Sequence, residues 1–521
     1  MNYIAKSLLS SILCGVAALL IFPGNSHAQV YGPVPSPFES IKENSVSVMA
    51  AYGDTVWIGP GLNRNIANAM TWHFPEGATA VTDGPARVFS LSLSRDTVVA
   101  GLGYNAITES GNVQTGDGFH LSFDGGQTWL YSQQFIEEEN DTAFVYGGQS
   151  YSKLPITVPQ QSPPFELDHY GSTILSANWA SGIIRSRDFG KSWERLILPP
   201  QSADSLVPGE SYNFISDGGS RYDPRFDQNL LGFAVLIDRE KNVWTGTAGG
   251  LNISDNALFA STDNIRWNHI QVTGVNSGLT GNWIIDIKQQ PSTGDVWMTN
   301  WPSGLQTGEQ YSVVRTSDGG KTFDRFLMDE KINDLGFKNS YIFAAGDNGL
   351  FISPDNGESW ERVDRIQSAN TFIKSEAGYL SVAAATDRVW IGTSDGIAST
   401  GDFGQNWQIT RVDFPLQGGN QYQQRAPDVE AYAYPSPFSP GRHEIIRIKF
   451  QVDQQGKVRI RLFDFGMNLI REIENRSFNS GTYEAVWDGT DSRGLRVANG
   501  PVFYQVESPG NVIRGKFLVI E

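Results

Sequence analysis

The chain has 521 residues and a formal net charge of −17, a sign that argues against nucleic acid or an anionic membrane as its main partner. Its 55 Gly, 25 Pro, 29 Phe and 14 Trp suit many short strands joined by tight turns, and long amphipathic helical patterns are hard to find. The single cysteine, Cys14, lies in the leader described next, so the rest of the chain has neither a disulfide nor a thiol nucleophile.

Residues 1–28 read as a secretory signal peptide: Lys6 in a short first region, an apolar stretch from Leu8 to Phe22, and the small-residue site Ser26-His27-Ala28. The apolar stretch, about 15 residues, is shorter than the ~20 a spanning helix needs, and no later window is apolar enough, so no integral membrane segment is expected. Leu13, before Cys14, is bulky where a lipoprotein signal carries a small residue. Losing the leader with its one lysine takes the charge from −17 to −18 and leaves a chain long enough to bury a large core without disulfides.

One phrase then recurs: SFDGGQTW at 122–129, SRDFGKSW at 186–193, TSDGGKTF at 316–323, SPDNGESW at 353–360 and TGDFGQNW at 400–407, with a shortened sixth copy, STDNIRW, at 261–267. Each reads as a hairpin turn in which Asp124, Asp188, Asp263, Asp318, Asp355 or Asp402 accepts backbone N–H bonds, a glycine supplies the backbone freedom, and the closing Trp or Phe fills the space between sheets. The phrase resembles the Asp-box, or BNR repeat, of sialidases, sortilin-type receptors, xyloglucan-degrading enzymes and photosystem assembly factors. Upstream of each copy stands an apolar strand ending in small residues, TVWIGPG, TVVAGLG, TILSANW, NVWTGTAGG, DVWMTNW, YIFAAGDNG and RVWIGTSDG, which makes seven units; the first lacks a recognisable box, with Trp72 where its aromatic would fall. Four-stranded units repeated seven times imply an all-β fold, a seven-bladed β-propeller over residues 29–416. The resemblance places the repeated turns between the third and fourth strands and ligands on the opposite face. Two insertions, about 134–170 with the acidic run Glu137 to Asp141 and 200–228, exceed ordinary connection lengths and are either functional or poorly ordered.

Residues 417–429 read as a linker, and 430–521 alternate as the strands of a small β-sandwich. YPSPFSP (434–440) and WDGTDSRGLRVANGPVFYQV (487–506) resemble the immunoglobulin-like domain of flagellar-hook cap proteins (FlgD-like) and of type IX secretion C-terminal sorting domains. That resemblance implies secretion machinery as a partner, with Trp487 in the core and Lys516 as the basic residue near the end; an ordinary structural sandwich is the alternative.

A sialidase would need an arginine cluster announced by an R-I-P phrase, which is absent. A glycoside hydrolase needs two carboxylates ~5 to 10 Å apart; the fallback candidates are Asp168, Asp286 and Asp334, each near the first strand of its unit, and the favoured reading of each is an acceptor of hydrogen bonds from neighbouring blades. His73, His120, His169, His269 and His443 show neither nucleophile-elbow nor zinc spacing, and neither a metal nor a cofactor is expected. Asn178-Trp179 and Asn300-Trp301 follow the second strands of their units, with Tyr104-Asn105 in the corresponding slot of the second unit; aromatic faces beside amides suit sugar rings or peptide side chains. The leading reading is an exported recognition or scaffold module at the outer surface or in the medium, with the periplasm open, binding a glycan or an extracellular protein and no nucleic acid. A glycoside hydrolase using channel carboxylates is second, and an assembly factor for exported proteins third.

Overall fold

The structure, a computed structural model, describes residues 29–31, 44–66, 72–73, 86–109, 111–272, 278–304, 306–368, 371–411 and 430–521. The leader and the expected linker at 417–429 lie outside the described residues. Among the described residues two compact units emerge, one within Gly32–Glu430 and one from Ala431–Glu521 together with Gln29–Tyr31.

The first unit is a seven-bladed propeller of antiparallel sheets. The first strands of the blades are Val48–Tyr52, Arg87–Leu93, Pro164–Tyr170, Gly232–Ile237, Trp283–Gln289, Ile332–Lys338 and Tyr379–Ala384. The second strands coincide with the seven small-residue phrases: in Thr173–Asn178, Val243–Thr247 and Val389–Thr393 every residue is buried, the pattern of a strand covered on both faces. The ring closes where the Val46 N–H donates to the Thr393 carbonyl (3.0 Å) and Ser381 Oγ donates to the Val46 carbonyl (2.9 Å), latching the last blade to the segment before the first.

The repeated turns share one hydrogen-bond plan. Asp124 Oδ1 accepts the N–H groups of Gln127 and Thr128 (both 2.9 Å), and Oδ2 accepts the Thr128 hydroxyl (2.6 Å). Ser122 Oγ donates to Asp124 (2.8 Å) while accepting the Gly126 N–H (2.8 Å). Asp188, Asp318, Asp355 and Asp402 repeat the contact to the residue four positions on, at 2.8–2.9 Å from its backbone N–H. Asp263 departs from this plan. The third strand of its blade ends at Ser254, so the acceptor position falls on Asn256, whose Oδ1 takes the Arg266 N–H (2.9 Å); Asp263 sits in a 3-10 turn, Thr262–Asn264, bonded to Ser261 Oγ (2.5 Å). Trp267 and, in the first blade, Trp72 are fully buried at the aromatic positions, and Trp72 meets Trp390 of the last blade edge-on at 5.2 Å.

The second unit is a β-sandwich. One sheet orders Gln29–Tyr31, Gly481–Trp487, Ile446–Val452 and Ala431–Tyr434; the other orders Leu469–Phe478, Gly456–Phe463, Gly500–Ser508 and Asn511–Val519. Phe438, Phe450, Ile460, Trp487 and Val506 fill the space between them. The sequence reading starts the propeller at residue 29, but Gln29, Val30 and Tyr31 pair with Val486, Ala485 and Glu484. The edge of Gly481–Trp487 offers unpaired backbone groups, and an extended segment satisfies them whatever its distance along the chain.

The turns also set the blade-to-blade packing. Gly126 has φ +87°, and a Cβ there would lie 2.5 Å from the Trp57 ring of the preceding blade; Gly125, φ +71°, faces open space. Asn356, Phe189 and Phe403 already hold the Gly125 position in other copies, each at φ near +60°. Gly125→Asn is therefore expected to leave the urea midpoint within experimental error. Gly126→Ala should destabilise by about 2 kcal/mol or more, because the clash adds to the left-handed strain of roughly 1–3 kcal/mol. Equal midpoints for the two variants would refute this packing account.

Candidate functional site

Six of the seven first strands carry a register shift at the same place, between Val88 and Ser90, Pro164 and Glu166, Gly232 and Ala234, Ile284 and Asp286, Ile332 and Asp334, and Tyr379 and Ser381. A bulge re-aims the residue it skips. The skipped residues, Phe89, Phe165, Phe233, Ile285, Asn333 and Leu380, all line one cavity of about 310 Å³ in the central channel, and all are half-buried. Trp301 joins them.

The residue after each bulge turns toward the next blade. Glu166 accepts the Val235 N–H (3.1 Å), Asp286 the Leu335 N–H (3.3 Å) and Asp334 the Val382 N–H (2.7 Å), always two positions past the neighbouring bulge. Ser90 and Ser381 occupy the same column and donate to the carbonyls of Pro164 and Val46. Ala234 is the exception and places no polar group between Glu166 and Asp286. Lys288 donates to Asp334 and to the Leu335 carbonyl (2.8 Å), and its Nζ lies 3.9 Å from Asp286.

Burial, then the charge of Asp286, pushes Glu166 well above the usual carboxylate range. Burial lifts Asp286 to about 7 against the pull of Lys288. Burial disfavours the Lys288 ammonium, but Asp286 and Asp334 outweigh it and hold it charged. Three carboxyl groups thus surround one cation beneath a largely apolar ring.

The fallback carboxylates separate. Asp286 and Asp334 line the cavity; Asp168 does not. Asp168 accepts the Ile237 N–H (2.7 Å) and the Ser92 hydroxyl (3.4 Å), and burial raises it to about 6. Glu166, which sequence reasoning missed, takes its place. Aligning PFELDHY, GFAVLID, NWIIDIK and KINDLGF puts Glu166, Ala234, Asp286 and Asp334 in one column, with Asp168 two residues later.

The aromatic-amide slots need correction. Asn178 and Asn300 are fully buried: Asn178 Nδ2 donates to Ser176 Oγ (3.1 Å) and Asn300 Oδ1 accepts the Thr280 N–H (3.1 Å), each within its own blade, while Asn178 Oδ1 and Asn300 Nδ2 are buried without a hydrogen-bond partner. Tyr104 and Asn105 remain inside a long hairpin, paired with Thr115 and Gln114, because the second strand of that blade runs on to Thr108. Trp179 backs the ring, 5.0 Å from Phe233 and 6.0 Å from Trp283. Of the six residues, Trp301 alone lines the cavity, its Nε1 donating to the Ile332 carbonyl (2.8 Å).

The long insertions extend the edge of the fourth blade. Ser205–Leu206 adds a fifth strand there, and the hairpin Ala143–Tyr146/Gln149–Ser152 docks beside it through the Tyr146 hydroxyl to the Ile265 carbonyl (2.8 Å). Phe144, Tyr151, Phe214 and Tyr222 form a joint aromatic core. Within the acidic run, Glu137 is buried against Lys153 (2.7 Å) and Arg195 (3.1 Å). Among the described residues no group of three or more His, Cys, Asp and Glu is placed to hold a metal ion, and no helix is long and apolar enough to cross a membrane.

No protein-family model matches the chain. A probable oligoxyloglucan-reducing end-specific xyloglucanase of Neosartorya fischeri is 25% identical over 230 residues, 40% of this chain and 27% of that protein, so the chain spans about a quarter of that relative's length. Among solved structures, YCF48 from Cyanidioschyzon merolae is similar over 71% of this chain and 97% of its own, at 15% identity and a TM-score of 0.42. A GH74 enzyme from Niastella koreensis is similar over 93% of this chain and 74% of its own, at 12% identity and a TM-score of 0.44.

The two acidic populations predict opposite pH responses. Asp124 and Asp318, held at about 2 first by the hydroxyls of Thr128 and Thr322, stabilise the fold above about pH 4 and lose that contribution as pH falls toward 2. Asp168 and Asp286, raised to about 6 and about 7, bind protons more tightly when folded; their contribution is complete below about pH 4 and is lost as pH rises through 6 and 7. The urea midpoint should therefore peak near about pH 4–5 and decline toward 7, and Asp286→Asn should flatten the decline. A midpoint that climbs steadily from pH 4 to 7 in the parent chain would contradict the assignment.

Proposed function

We propose that the propeller is an exported recognition module whose ligand enters the channel mouth. The observation that carries this reading is the ring of bulge residues. A bulge costs a ladder hydrogen bond, and six in register turn three half-buried phenylalanines onto the lining of the channel cavity. The leader at 1–28 supports export. The five shared turns support the Asp-box reading, and the C-terminal sandwich is read as the secretion or sorting element.

The second reading is a glycoside hydrolase, favoured by Asp286 at about 7 beside Glu166, an arrangement suited to sharing a proton. Against it, each channel carboxylate is already engaged with a backbone N–H of the next blade, and Asp334 also with Lys288. The likeness to a probable xyloglucanase makes xyloglucan the first glycan to try.

The test is a glycan-array and polysaccharide-hydrolysis screen of the mature chain beside Trp301→Ala, Phe165→Ala and Asp286→Asn. Binding without turnover, weakened about tenfold or more by the two aromatic variants, is expected. Sugar release that disappears in Asp286→Asn would establish the hydrolase instead. Binding indifferent to Trp301 and Phe165 would remove the channel mouth as the ligand face.

A further inference from the structure

We propose that the channel cavity faced by Glu166 and Asp286 is a cation site, which takes the lysine or arginine side chain of a protein ligand. This rests on the reading of the channel mouth as the ligand face.

The first ground is charge. The charged residues lining the cavity are Glu166, Asp286, Asp334 and Lys288, three acids to one base. Lys288 is committed to Asp334, which leaves Glu166 and Asp286 as the acids that can ionise to answer a second cation, and Ala234 adds no polar group on the blade between theirs.

The second ground is the shape of the apolar rim. Neighbouring rings in the series Phe89, Phe165, Phe233 are 6.5 and 5.9 Å apart and inclined at 47° and 34°. Such rings present several inclined faces rather than one flat platform. A sugar stacks best on a single flat face, whereas a compact cation gains from several inclined faces at once because each presents negative quadrupole density. Trp301, on the same lining, already carries the Lys331 ammonium 4.5 Å from its ring centre, so this wall holds a cation within the protein itself.

The third ground is solvation. Taking an ammonium or guanidinium out of water is costly unless charge and hydrogen-bond acceptors replace the lost waters. The rim gives a cation faces to pass and the floor gives it carboxylate oxygens to reach. An anion would meet the acidic surplus, and a metal ion would find no set of three converging ligands among the described residues.

Isothermal titration of the mature chain with Gly/Ser-rich hexapeptides that differ only at a central Lys, Arg, norleucine or Glu would test this, with n-butylammonium as the free-amine arm. The Lys and Arg peptides should bind about tenfold or more tightly than norleucine and Glu. Glu166→Gln keeps an acceptor for the Val235 N–H and so should melt like the parent, yet it should erase the preference; Phe233→Leu should weaken Lys and Arg binding about threefold to thirtyfold. Butylammonium binding as tightly as the Lys peptide would keep the cation site and overturn the protein source. Norleucine binding equal to lysine, or a preference surviving Glu166→Gln, would overturn the cation site. If Phe165→Ala still abolished binding of a neutral peptide or glycan, the channel mouth would stand without it; if no ligand responded to Phe165, Trp301 or Glu166, both readings would fall.

Discussion

The first strand of every blade is the edge of its sheet, so the backbone groups on its channel side must find partners beyond that sheet. A propeller cannot close without meeting this demand at each junction. Here one column of residues meets most of it. Glu166, Asp286 and Asp334 accept N–H groups, while Ser90 and Ser381 donate to carbonyls, each from the neighbouring blade. The same column borders the cavity, so the contacts that close the ring also set its electrostatics.

At the outer end of the blades the constraint is packing rather than polarity. The repeated turns bring a glycine with positive φ against the preceding blade: Gly126 against Trp57, Gly320 against Ile253, Gly357 against Trp297 and Gly404 against Ile352. Each carboxylate in these turns is spent on local N–H and side-chain donors, which leaves it ionised and unavailable for chemistry. Acidic residues thus have two fates in this fold. Those in the turns are held low by donors, whereas Glu166, Asp168 and Asp286 are raised by burial.

The fold was legible because its signals are local. The strand phrases and the S/T-x-D turns lie within a few residues of one another, and even the displaced turn of the fourth blade keeps its Ser254 and Asn256 at the same spacing after the strand. The site was less legible because it depends on register. A skipped residue inverts which side chains face the channel, so Phe165 points in and Asp168, two places past Glu166, does not. Asn178 and Asn300 resemble ligand amides in sequence, yet both are buried and bonded within the propeller. Nothing near Gln29–Tyr31 signals that its partner strand lies more than 450 residues away at Glu484–Val486.

The choice of residues in the channel column separates the needs of the fold from those of a ligand. Serine closes the second and seventh blades without placing charge in the interior. An acid at the same position brings a charge that burial opposes, and one pKa unit corresponds to about 1.4 kcal/mol, so the displacement of Asp286 to about 7 represents a stability cost on the order of a few kcal/mol wherever it ionises. Closure alone does not require that cost, because a neutral acceptor would serve the Leu335 N–H as well. Three acids clustered on the third, fifth and sixth blades, with one lysine among them and phenylalanines on the same lining, fit the proposed site, in which the acids ionise for a cation that arrives from outside. On that proposal the cost of ionising the buried carboxylates would be offset when a cation binds, which would couple ligand capture to the same junctions that keep the ring closed.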